Sequence, residues 1–165
     1  MINRFDGKYG FLSNFYPCEI NYQGISYPSV EHYYVAMKCN NDQMIDGKYY
    51  TRADCRELIS QIPTAGKAKT FGKKLKLRSD WDIKKLEVMT WGLNEKFKIP
   101  ALQELLLSTG NEDIVEGNWW HDNFYGICSC EKCGNRGKNH LGKLLMKIRS
   151  ELNGTQRKGL ESLFK

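Results

Sequence analysis

Apolar and polar positions alternate in the N-terminal part of the chain and then settle into helical spacing. Ile20-Asn21-Tyr22 and Ile25-Ser26-Tyr27 alternate around Gln23-Gly24, which predicts a hairpin within a first 28 residues of strand and turn. Pro28-Ser29 offers an N-cap, so a helix is expected over about Val30 to Cys39. Shorter helices are expected over Thr51 to Ile59 and Thr64 to Leu75.

The strongest periodicity runs from about Asp82 to Phe97. Ile83, Leu86, Met89, Leu93 and Phe97 recur at steps of three and four and predict one apolar face, with Trp91 also packed in the core. Pro100 can open a helix over Ala101 to Leu107 with Leu102, Leu105 and Leu106 inward. A last helix is expected over His140 to Leu152, with Asn139 as its cap and Leu141, Leu144, Leu145, Ile148 and Leu152 on one side. Between these lies a long loop from Asn118 to Gly137, rich in Trp, Tyr, Gly and Cys. A loop of that length in a compact domain is usually functional. The expected fold class is α+β, mainly helical, with a small N-terminal antiparallel β element packed on a helical core. No linker or repeat interrupts the chain, so one domain is expected over 1–165.

Composition adds limits. Of 165 residues, 41% are hydrophobic and 27% charged, enough apolar material for a core and too much for a disordered chain. Apolar runs such as Leu105-Leu106-Leu107 are far shorter than a membrane span requires. The opening Met1-Ile2-Asn3-Arg4-Phe5-Asp6 carries charge where a secretory signal needs an apolar stretch, so a soluble, cytoplasmic protein is expected. The net charge of +6 is concentrated: Lys67, Lys69, Lys73, Lys74, Lys76 and Arg78 are uninterrupted by acids and equal the whole excess. Such a patch suits a phosphate-bearing partner, and equally a solvated helix face.

Candidate chemistry starts on the helix after Pro28. Glu31, Tyr34 and Lys38 stand at i, i+3 and i+7 and so share a face. Their neighbours Tyr33, Val35, Ala36 and Met37 are apolar, so this stripe would be partly desolvated. Desolvation raises a carboxyl pKa and lowers an amine pKa, moving both toward neutrality. His32 reads as a packing residue. In Gly10-Phe11-Leu12-Ser13-Asn14-Phe15-Tyr16-Pro17, aromatics flank the amide of Asn14, a combination that could stack and read a planar base or simply pack its own loop. Trp81 follows the basic patch directly.

In the long loop, Asp122 stands among Trp119, Trp120, Phe124 and Tyr125 as a candidate second carboxylate. Gly137-Lys138-Asn139 at a helix start offers backbone N–H groups and a cation, either an anion cradle or a plain cap. Cys128, Cys130 and Cys133, with His121 or His140 as a fourth ligand, could form a tetrahedral zinc site. Against that, Cys-x-Cys-x-x-Cys is not the paired spacing typical of zinc, and reduced loop thiols are the other reading. Cys18, Cys39 and Cys55 are scattered and expected to be buried thiols.

Together these segments resemble the NADAR, or YbiA-like, family of N-glycosidases. The resemblance rests on Gly10-Phe11-Leu12-Ser13-Asn14-Phe15, on Tyr27 through Lys38, on Trp81 with its following helix, and on Gly137-Lys138-Asn139-His140-Leu141-Gly142-Lys143-Leu144-Leu145-Met146. It spans about residues 5–152, leaving a C-terminal tail over 153–165. It implies a mainly helical α+β fold and hydrolysis of the bond between ribose C1 and a nitrogen on a base. The substrates it implies are phosphorylated ribosylamino-pyrimidines of riboflavin synthesis or ADP-ribose on guanine, possibly within nucleic acid. By motif position, Glu31 is the family acid, Lys38 its helix lysine, Trp81 a pocket aromatic and Asp122 the acid before an aromatic-Gly pair, here Tyr125-Gly126. The chain departs from the pattern at Tyr125, which stands in place of a Trp, and in its Cys-rich stretch, which replaces a Gly-rich loop.

The expected catalytic set is therefore Glu31, Lys38 and Asp122. Asn14, Phe15, Tyr34, Lys67, Arg78, Trp81, Tyr125, Gly126, Lys138 and Asn139 are the expected substrate contacts. No cofactor or catalytic metal is required by this chemistry. A neutral Lys38 could attack C1 and form an imine, or a carboxylate could activate water directly. A non-catalytic nucleic-acid or ADP-ribose-binding module is the alternative.

Overall fold

The structure, a computed structural model, describes residues 1–163. Its contacts divide the chain into two compact units, one over Asn14–Lys96 and one formed by Met1–Ser13 with Phe97 onward.

The central unit begins with the expected hairpin. Strands β1 (Ile20–Tyr22) and β2 (Ile25–Tyr27) pair antiparallel, Ile20 opposite Tyr27. Gln23 and Gly24 turn the chain with φ of 48° and 80°, the left-handed pair that a two-residue hairpin loop demands. Helix α1 (Val30–Lys38) follows, and the Ser29 side chain caps it by accepting from the His32 amide at 3.1 Å. Every residue of α1 from Val30 to Met37 is buried, because α2 (Arg52–Ser60), α3 (Ala65–Gly72) and α4 (Trp81–Lys96) all pack against it. A second hairpin, β3 (Gln43–Ile45) and β4 (Lys48–Tyr50), turns through Asp46-Gly47.

Helix α4 corrects the expected apolar face. Met89 and Leu93 are buried, but Ile83 is 82% exposed and Trp91 is 36% exposed. The inward face instead runs through Trp81, Met89, Gly92, Leu93 and Lys96. Gly92 sets this rotation: a Cβ there would lie 2.7 Å from Tyr33 Cε1, so only glycine admits the Tyr33 ring against the helix backbone. Trp91 packs on the rim, edge-on to Tyr22 at 5.0 Å between ring centres and tilted against Tyr33 at 5.2 Å.

In the other unit, α5 (Pro100–Ser108) packs against α6 (His140–Leu163) and against a 3-10 turn over Gly7–Leu12. Leu102 and Leu106 are buried but Leu105 is 40% exposed, so α5 presents a narrower face than expected. Leu141, Leu145 and Ile148 fill the α6 side, and Arg149 Nη1 donates to Thr109 Oγ1 at 2.9 Å. The helix continues past Leu152 through the residues expected to be a tail. Neither Gly154 nor Gly159 breaks it, and Leu160 and Leu163 stay exposed, so the apolar stripe ends before the helix does. A parallel pair, β5 (Gly117–Asn118) and β6 (Ile127–Cys128), anchors the long loop.

Candidate active site

Three side chains of the expected stripe lie on α1. Glu31 is 8% exposed in its first turn, Tyr34 is buried one turn on, and Lys38 is half-buried at the C-terminal end. Lys38 Nζ lies 5.4 Å from the Tyr34 ring centre and 6.0 Å from that of Trp81, and the two rings tilt against each other at 5.0 Å. The Arg78 amide donates to the Lys38 carbonyl at 3.0 Å, fixing the residues before Trp81 to the end of α1.

Burial lowers the Lys38 pKa below the usual lysine range. The Glu31 carboxylate opposes that shift and the Lys69 ammonium adds to it. Lys69 Nζ also stands 5.8 Å from the ring centre of the exposed Phe15. The Asn14 carbonyl accepts from the Glu31 amide at 3.0 Å, and its side-chain Nδ2 contacts Met89 Sδ at 3.4 Å. Asn14 Oδ1 is buried without a hydrogen-bond partner among the described residues, an acceptor that is costly to leave unmet. Glu31, Tyr34, Lys38, Trp81 and Asn14 thus all belong to the central unit, with Lys69 as an added cation.

His32 is structural, as expected. Its Nδ1 meets Ser29 Oγ at 2.6 Å and its Nε2 meets the Ile62 carbonyl at 2.8 Å, so Nε2 donates and Nδ1 accepts in a neutral ring. Burial lowers its pKa accordingly.

The basic patch is less available than its sequence suggests. Arg78 grips Asp80 through two bonds, Nε to Oδ1 at 2.6 Å and Nη2 to Oδ2 at 3.1 Å. Lys74 pairs with Asp46 at 2.6 Å. Lys67 and Lys69 are exposed on α3. The sequence count missed these pairings because the acids come from outside the run.

In the other unit, Asp122 is half-buried and organises its own turn. Its Oδ1 accepts from the amides of Phe124 at 3.1 Å and Tyr125 at 2.9 Å, while Asn118 clamps its backbone from both sides. Tyr125 stands edge-on to Phe124 at 4.8 Å, and Lys138 Nζ lies 5.8 Å from the Phe124 ring centre. Gly126 is set by packing, since a Cβ would fall 2.2 Å from the Glu116 carbonyl oxygen.

The expected anion cradle at the start of α6 is filled by the chain itself. The amides of Lys138, Asn139, His140 and Leu141 donate to the carbonyls of Asn123, Gly126, Phe124 and Tyr125 at 2.9 to 3.3 Å. Asn139 does not cap α6 with its side chain either. It accepts from the Glu116 amide and donates to the Ile114 carbonyl, both at 3.0 Å.

One residue escaped the sequence reading. Lys96 is fully buried within α4, with Nζ 5.7 Å from the Tyr16 ring centre, and burial lowers its pKa to about 8. A lysine on an otherwise mixed helix gives no sequence signal of such burial.

Residues 2–153 match the family model of the NADAR domain. An N-glycosidase of Nostoc punctiforme is 38% identical over 147 residues, covering 87% of this chain and 86% of the relative. The N-glycosidase YbiA of Escherichia coli is 34% identical over 149 residues, covering 87% and 82%. A riboflavin biosynthesis protein of Vibrio vulnificus is 33% identical over 150 residues, but the match spans only 36% of that longer protein. The NMR structure of the Escherichia coli protein YbiA superposes with a TM-score of 0.73 at 30% identity, covering 94% of this chain and 86% of that one. No described helix is long and apolar enough to cross a membrane.

Proposed function

Because the chain belongs to the NADAR domain family, we propose that it hydrolyses the bond between ribose C1 and an exocyclic amine of a base. Hydrolysis of N-glycosyl bonds is the activity for which its relatives are named. The observation that carries the finer reading is Lys38: a half-buried amine of lowered pKa, 5.4 and 6.0 Å from the centres of two aromatic rings and within the field of the Glu31 carboxylate two turns away on the same helix.

An exocyclic ribosylamine is an aminal whose sugar ring can open, so an amine nucleophile is useful here in a way it is not for an ordinary nucleoside. Neutral Lys38 Nζ bonds to C1 as the C1–N bond to the base breaks. The electron pair of that bond leaves with the base amine, which takes a proton from the Glu31 carboxylic acid. As the ring opens, one of the two Nζ protons passes to the ring oxygen, leaving a protonated imine, C1=NζH⁺. Water then adds to C1 while the Glu31 carboxylate takes one of its protons, and the remaining hydroxyl proton passes to Nζ as C1–Nζ breaks, returning neutral lysine, the Glu31 carboxylic acid and the free sugar. Tyr34 and Trp81 form the aromatic wall, Asn14 Oδ1 accepts from a substrate N–H, and Lys69 with Lys67 holds phosphate.

The substrate class is a phosphorylated ribosylamino-pyrimidine or an ADP-ribosylated guanine. Mass spectrometry of both incubations tests it. Release of free amine with ribose 5-phosphate or ADP-ribose is expected from one of them. Retention of nucleic acid that weakens steeply with salt, without any product, would mark a binding module instead.

A further inference from the structure

We propose that His121, Cys128, Cys130 and Cys133 form a structural zinc site. The single donor atoms of these four residues all lie within 4.8 Å of one another. His121 Nδ1 stands 3.2 Å from Cys133 Sγ and 3.4 Å from Cys130 Sγ. A zinc ion with bonds of about 2.3 Å to sulfur and about 2.0 Å to nitrogen needs ligand separations of roughly 3.5 to 3.8 Å. The four donors therefore surround a tetrahedral centre after shifts of a few tenths of an ångström to about one ångström.

The chemistry of the set selects the metal. Three thiolates and one imidazole are soft and borderline donors, which suit zinc over magnesium or calcium. With four protein ligands the coordination is closed, as in structural rather than catalytic sites. The surroundings also fit. The Cys133 amide points at Cys130 Sγ at 3.4 Å, and Asn123 Nδ2 points at Cys133 Sγ at 3.4 Å, so N–H donors already face two of the sulfurs. His121 adopts φ of 69°, a conformation that costs free energy for a non-glycine residue and that carries its ring to the cysteines. All six cysteines of the chain are free thiols. The geometry also decides between the two candidate histidines: His121 joins the cluster and His140 packs on Phe124, with ring centres 4.5 Å apart.

Two short segments meet at this centre, Trp119–Asp122 and Cys128–Cys133. The ion would staple the loop that carries Asp122 and Tyr125, a role independent of which reaction the protein catalyses. Metal content measured on the whole protein, purified under a non-thiol reductant, tests this. One zinc per chain is expected, along with thiolate-to-cobalt charge transfer and intense tetrahedral d–d bands when cobalt replaces it. Cys130→Ser and His121→Ala, both at accessible positions, should lose most of the zinc and shift the cobalt bands, and Cys18→Ser should leave both unchanged. Sub-stoichiometric zinc with no cobalt bands would overturn the proposal. So would zinc retained in full by the Cys130→Ser, His121→Ala double variant, or a native mass two hydrogens light that marks a disulfide among these cysteines.

Discussion

The Lys38 ammonium nitrogen lies 5.4 Å from the centre of the Tyr34 ring, one turn back on the same helix. The charges that tune it come from either side: Glu31 from the first turn of α1 and Lys69 from α3. The two act in opposite directions, which makes the tuning testable.

Replacing Lys69 by Met removes a cation and should raise the Lys38 pKa toward the ordinary lysine value. At fixed pH near neutrality less of the amine is then neutral, so its reaction with an acylating reagent slows. Site-resolved mass spectrometry of Lys38 labelling against pH measures this. A labelling curve shifted to lower pH in Lys69→Met would contradict the account.

Glu31→Gln has two separable effects. Losing the carboxylate lowers the Lys38 pKa further, and it also removes the group assigned to move protons. Turnover should fall by about 10²- to 10⁴-fold, the usual worth of a positioned acid or base. Circular dichroism should show the helices intact. Activity within a few-fold of the parent would remove Glu31 from the mechanism.

Gly92→Ala tests the packing that aligns α4 on α1. In an exposed helix this change stabilises by up to about 1 kcal/mol. Here the new Cβ would meet Tyr33 Cε1 at 2.7 Å, and that ring is tied through its hydroxyl to the Val88 carbonyl at 3.0 Å. Overpacking typically costs about 1–3 kcal/mol, so the variant should unfold at lower urea concentration. A higher midpoint would show that α1 and α4 are not so closely opposed.

Lys96 gives stability a pH signature. Its folded pKa of about 8 lies below the ordinary lysine value of 10.5. Below the folded value the amine is charged in both states and its burial cost is fully present. Between the two values the unfolded chain binds more protons, so stability rises with pH across that window. Urea denaturation of the parent should gain on Lys96→Met over the same range. A difference between the two that stays constant with pH would contradict the assignment.

Much of the fold was legible because periodicity and caps are local. Ser29 accepts the His32 amide as its expected place before α1 requires, and Thr51 and Thr64, expected as the first residues of their helices, cap them in the same way by accepting the amides of Asp54 and Lys67. The second hairpin was equally local, since Asp46-Gly47 is a strong two-residue turn signal, and its short flanking strands concealed it. The face of α4 was not legible, because Gly92 and Lys96 read as polar interruptions although they lie on the buried side. At the candidate site, the residue types on α1 could be read from spacing. The partners that occupy Arg78, Asn139 and the α6 amides arise from tertiary contacts that no spacing encodes. The metal ligands lie between these cases, with three cysteines visible in sequence and the histidine chosen by the fold.

The proposed bond between Lys38 and the sugar would be trapped by borohydride added to the working enzyme. Inactivation is expected, with a reduced ribosyl adduct on Lys38 that peptide mass spectrometry finds in the parent and not in Lys38→Arg, which should also lose activity. Undiminished turnover in Lys38→Arg, with no adduct on the parent protein, would contradict it and leave water activated by a carboxylate as the route.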